Sequence, residues 1–130
     1  MNLMEQFARH LEFIGFGVYA SEEEAGNIFY GQMPDEPDAA ICVFSQDSAT
    51  PGSASGARLQ VYTRGAVGDA KTPYETACAM VSALEGFIGF LCGDGAFVRI
   101  EGISCAQGMG LDDSGRHIYS SQYRVYYCDF

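Results

Sequence analysis

Thr72-Pro73 followed by Glu75 is a helix-start signature, and behind it Ala77, Val81, Leu84, Ile88 and Leu91 recur at steps of four, three, four and three. A hydroxyl at the N-cap satisfies an orphan amide, proline at the first helical position loses no hydrogen bond, and the glutamate reaches back to the cap. The stripe predicts a helix of about five turns ended by Gly93-Asp94-Gly95. Its single apolar face has to lie on a sheet or on another helix.

A second amphipathic helix is predicted from about residue 2 to 15, where Leu3, Phe7, Leu11 and Ile14 share a face before Gly15 and Gly17. Ser21 and Glu22 to Glu24 resemble a helix start, but Gly26 cuts it to a connector. Strands are predicted at Asn27 to Met33, ended by Pro34, and at Asp38 to Phe44. The latter is apolar on both sides, Ala40, Cys42 and Phe44 against Ile41 and Val43, and so is expected to be covered twice. From Ser45 to Ala57 the chain turns to Ser, Ala, Gly, Thr and Pro, which predicts a flexible loop because so little apolar area cannot offset the entropy of ordering.

Arg58 to Arg64 alternates cleanly, with Leu59, Val61 and Thr63 toward a core and Arg58, Gln60, Tyr62 and Arg64 forming an outward cationic face. Two more strands, about Ala96 to Ala106 and Arg116 to Cys128, flank the turn-forming Asp112-Asp113-Ser114-Gly115. In the last strand Tyr119, Ser121, Tyr123, Val125 and Tyr127 oppose Gln122, Arg124 and Tyr126. Together these predict one α+β domain over residues 1–130, in the order α-β-β-β-α-β-β. Its mostly antiparallel sheet has about five strands, with both helices packed on one face.

Length and charge narrow the function. A chain of 130 residues builds one core without a disulfide or metal staple. No run of 18 apolar residues is present, and Met1 to Gln6 lacks the order of a secretory signal, so no membrane role is expected. Seventeen acidic side chains against seven basic ones, a net charge of −10, repel phosphate backbones and anionic lipid. Cys42, Cys78, Cys92, Cys105 and Cys128 show no C-x-x-C pattern and are odd in number, which fits small buried side chains in a reducing compartment. Neither His10 nor His117 lies in a nucleophile signature, and Asp112, Asp113 and Ser114 lack EF-hand spacing, so no catalytic, metal or cofactor residue is assigned. The Gly93-Asp94-Gly95 run follows a helix, whereas a phosphate cradle precedes one. Pro34-Asp35-Glu36-Pro37-Asp38 reads as a rigid acidic tip, either a plain turn or a docking element.

Two blocks are distinctive together: Phe-x-Gly-x-x-Pro-Asp-x-Pro at Phe29 to Pro37, and Gly-x-Asp-x-x-Gly-Arg at Gly110 to Arg116. With Leu59 to Gly65 and the alanine-rich helix between them, they resemble the small minor capsid or tail-terminator proteins of tailed bacteriophages over most of the chain. That resemblance implies a structural virion protein, assembled in the host bacterial cytoplasm, that forms a homo-oligomeric ring with a hexamer as the candidate stoichiometry. Such a ring caps the tail tube and joins it to the head connector, with no catalytic step.

Copies in a closed ring meet through different surfaces, so one patch must complement another on the same molecule. The expected subunit-interface residues are Asp35, Glu36, Asp38, Arg58, Tyr62, Arg64, Arg116, Arg124 and Tyr126, with Arg58 and Arg64 facing an acidic neighbour edge at residues 35–38. A surplus of acid suits a conduit along which DNA slides, and no specific nucleic-acid binding is expected. The competing reading is a small cytosolic enzyme or ligand-binding domain with a tyrosine-lined pocket.

Overall fold

A computed structural model describes residues 2–45 and 56–128. Most of the flexible loop expected at 45–57 lies outside the described residues. The elements are α1 (Leu3–Phe13), β1 (Ile28–Tyr30), β2 (Ala40–Ser45), β3 (Ala57–Val67), α2 (Lys71–Leu84), β4 (Ile88–Phe90), a 3₁₀ turn at Leu91–Gly93, β5 (Phe97–Leu111) and β6 (Arg116–Tyr127). The strands form one sheet in the order β1-β2-β3-β6-β5-β4, antiparallel except for the parallel β1–β2 pair. All five expected strands are present, and β4 is a sixth.

That extra strand comes from a shorter helix. α2 is not capped by Thr72: the Asp69 carboxylate accepts from the amides of Lys71 (3.1 Å) and Thr72 (3.0 Å), and Pro73 is the third helical residue. The Thr72 amide in particular holds the Asp69 carboxyl below the usual carboxylate range. The helix ends at Leu84 because Glu85 is extended and Gly86 takes a left-handed φ of 79°, turning its amide to the Ile100 carbonyl at 3.0 Å. The buried stripe is therefore Pro73, Ala77, Met80 and Leu84, while Ile88 lies on β4 and is exposed and Leu91 enters the core from the 3₁₀ turn.

Both helices cover one face, as expected. Phe7, Leu11, Met80 and Leu84 share a buried cluster with Ile41, Val43, Leu59, Val61, Tyr123 and Val125, which the strand registers place on the same side of the sheet. Phe7 and Tyr123 meet ring to ring at 5.4 Å. Each fully buried Leu or Phe here contributes about 1.5–3 kcal/mol by leaving water, so this layer holds the sheet flat against its helices.

The opposite face is half covered. Because β1 and β2 run parallel, the chain must return between them, and its link of residues 31–39 lies against Cys42 and Arg64 on the outer side. This is why β2 is apolar on both sides. Burial pushes the Cys42 thiol up to about 12. Elsewhere β5 shifts register against β6 three times, between Gly102 and Ser104, Ser104 and Gln107, and Gly108 and Leu111. Each shift places an extra residue on β5, which coils the strand.

Candidate functional site

The two distinctive sequence blocks meet at Arg116. Its guanidinium donates to Asp112 Oδ2 (2.8 Å), to the Asp35 carbonyl (2.6 Å) and Oδ1 (2.9 Å), and to Asp38 Oδ1 (3.1 Å). Arg64 lies beside it and donates to the carbonyls of Asp38 (2.8 Å) and Pro37 (2.7 Å). Both arginines are 4% exposed. Planar guanidinium forks match this mix of carboxylates and carbonyls, so the acidic tip is fixed by its own chain. The Arg116 amide, followed by its side chain, holds the Asp112 carboxyl below the usual carboxylate range. Burial, and then the charge of Arg116, lowers the pKa of Arg64.

This geometry corrects the expectation that Arg64 faces outward to a neighbour's acid. The residue is on the anticipated side of β3, but the link at 31–39 covers that end of the face. Arg116 is likewise buried, with Asp35 and Asp38 as its intramolecular partners. Glu36, between them, is exposed.

At the other end of the same strands the outer face carries half-buried arginine and tyrosine side chains. Arg58 sits directly opposite Arg124, Arg124 opposite Glu101, and Arg99 opposite Tyr126. The Arg99 guanidinium stacks 4.2 Å above the Tyr126 ring and approaches Glu101 at 3.8 Å. Arg58 reaches Gln122 at 3.4 Å, and Tyr62 packs against Phe44 with ring centres 5.1 Å apart. A Cβ at Gly56 would lie 2.9 Å from Arg124 Cγ and 3.1 Å from the Tyr126 ring, so glycine lets the chain pass close to this patch. Arg58, Arg124 and Tyr126 are thus brought together, whereas Tyr62 stands farther along the same face of β3, opposite Ser120 and packed on Phe44. Arg99 and Glu101 join them without having been singled out in the sequence, although the alternation of Val98 and Ile100 with Arg99 and Glu101 carried that signal.

His10 and Cys92 are also neighbours. The imidazole Nδ1 accepts from the Cys92 amide (2.8 Å), whereas the thiol donates to the Gln6 carbonyl (3.5 Å). Burial, and then Asp94, raises the thiol pKa, and burial lowers that of His10. An activated nucleophile needs the reverse, a thiolate stabilised by an imidazolium. Among the described residues no cluster of three His, Cys, Asp or Glu side chains is placed to hold a metal. The clefts beside Gly65 and Pro73, beside Phe16 and Glu75, and beside Arg9 and Cys92 contain no tyrosine.

The domain is thus a mixed sheet with helices on one side and a half-buried arginine and tyrosine patch on the other. Residues 10–127 match a family model described as bacteriophage tail terminator protein, which makes the molecule a structural protein of phage tails. The chain belongs to this tail-terminator family. No curated protein matches it. A solved structure is similar at 18% identity, with 78% of this chain and 79% of the other covered and a TM-score of 0.43.

Proposed function

We propose that this chain is the ring-forming subunit that closes the phage tail tube and joins it to the head connector, assembled in the host cytoplasm and carried in the virion. The supporting observation is segregated charge: Arg58, Arg99 and Arg124 cluster with Glu101 on one face of a molecule whose net charge is −10. Acid is exposed elsewhere, at Glu22 to Glu24 and at Glu36. Rings are built when one patch of each copy meets a different patch of the next. Tyrosine suits such a contact because it is large and rigid and loses little entropy on docking, and arginine because its planar fork offers several donors at once. Arg58, Tyr62, Arg124 and Tyr126 would face the neighbour, while Arg64, Arg116, Asp35 and Asp38 hold the shape of the adjoining tip.

The double variant Arg58→Glu, Arg124→Glu should abolish rings seen by electron microscopy of the protein mixed with its tail tube, with the circular dichroism spectrum unchanged. Rings that persist at wild-type abundance would overturn the assignment. The same acid surplus predicts no DNA affinity at moderate salt, and a submicromolar shift in fluorescence anisotropy would contradict it.

A further inference from the structure

On the helical side of the sheet, two cysteines from different elements stand together. Cys78, on α2, and Cys105, on β5, have their sulfurs 3.7 Å apart, with Cys105 exposed and Cys78 half-buried. The approach is built into the backbone. Cys105 lies within the register shift between Ser104 and Gln107, and the next residue, Ala106, takes a positive φ of 49°. A non-glycine residue there carries strain that surrounding contacts must hold, and the Ala106 amide is fixed by Ser121 Oγ at 3.0 Å. The bulge thus aims a side chain that a regular strand would direct otherwise.

We propose that Cys78 and Cys105 are a dithiol that closes to an intramolecular disulfide when the chain meets a low-molecular-weight disulfide oxidant, stapling α2 to β5. The exposed Cys105 thiolate attacks one sulfur of the oxidant and releases the other as a thiol, leaving a mixed disulfide. The Cys78 thiolate then attacks the Cys105 sulfur and expels the second thiol. Two protein thiols lose two electrons and two protons, and one oxidant molecule becomes two thiols. Burial, then hydrogen sharing with Cys78, raises the Cys105 pKa, so thiolate is scarce near neutral pH and the pair closes slowly. Tyr74 and Tyr119 line the same cluster and meet at 5.5 Å. A virion part passes from a reducing cell to an oxidising exterior, which is where such a staple takes effect; this sense of the switch rests on the proposed function, whereas the chemistry does not.

Purified reduced protein is treated with oxidised glutathione at mildly alkaline pH, and its peptides are mapped by mass spectrometry. The expected result is a Cys78–Cys105 cross-link, with the whole-protein mass lower by the two hydrogens lost and the Tm raised by roughly 5–10 °C. In Cys78→Ser the glutathione should remain trapped on Cys105, because the resolving thiol is gone. Reduced thiols after treatment, a stable Cys105 adduct in the unaltered chain, or a cross-link through Cys42, Cys92 or Cys128 would each overturn the proposal. None of these outcomes depends on whether rings form.

Discussion

Strands β3 and β6 each carry an arginine near both ends, and the two ends treat that residue in opposite ways. Arg64 and Arg116 are buried and saturated by carbonyls and carboxylates of the 31–39 link and Asp112. Arg58 and Arg124 face each other across the ladder at the other end of the outer face, where both are half-buried. The first pair is part of the fold, since breaking a satisfied buried charge cluster leaves its partners without compensation. The second pair opposes like charges, an arrangement that costs stability and that an acidic partner would relieve. Residue type does not separate the two pairs here; the covering link does.

The anchored end should break hardest. Arg64→Ala removes donors from at least two backbone carbonyls at a buried site and is expected to cost about 2–4 kcal/mol, read as a lower urea midpoint at unchanged m. Gly65→Ala comes next, because its Cβ would lie 2.7 Å from Pro73 Cγ and 2.8 Å from the Asp69 carbonyl. A loss of about 1–3 kcal/mol in thermal unfolding is expected. Acid sharpens the contrast further. The folded-state pKa of Asp112 is depressed, so its stabilisation is complete above the unfolded value near 3.8 and disappears as pH falls through the folded value. Asp112→Asn should flatten the acid limb of stability against pH, and an unchanged limb would remove Asp112 from the anchor. Smallest of all, Arg58→Ala and Arg124→Ala should each stay within about 0.5 kcal/mol of the parent in the same urea titration. A loss matching that of Arg64→Ala would make both ends structural and erase the distinction.

Much of the layering was legible. Alternation located β3 and β6, a run apolar on both sides located β2, and the step pattern of Leu3, Phe7 and Leu11 located α1, because burial leaves an imprint on the sequence. The end of α2 was not legible from its stripe, since Ile88 and Leu91 continue the spacing by coincidence beyond Gly86. The glycine itself was the better signal. The cap was missed for a different reason: Thr72 fits a capping box, but the helix starts one residue before it, at Lys71, and Asp69, which precedes the helix, accepts from the amides of Lys71 and Thr72. The motif blocks at Phe29 to Pro37 and Gly110 to Arg116 were visible, but not that they touch, because a contact across 81 residues leaves no local periodicity. For the same reason Arg64 reads as exposed in the sequence, its cover being supplied by a parallel return that alternation does not reveal.

The two outermost strands, β1 and β4, are three residues each. β4 covers only Phe97 to Arg99 of the fifteen-residue β5, so most of that border is β5 itself, whose three register shifts bend it away from pairing with a strand of a sister molecule. In the proposed ring, copies would then recognise one another through side chains, whose geometry can limit the count, instead of through backbone pairing, which has no natural stopping point and leads to fibres.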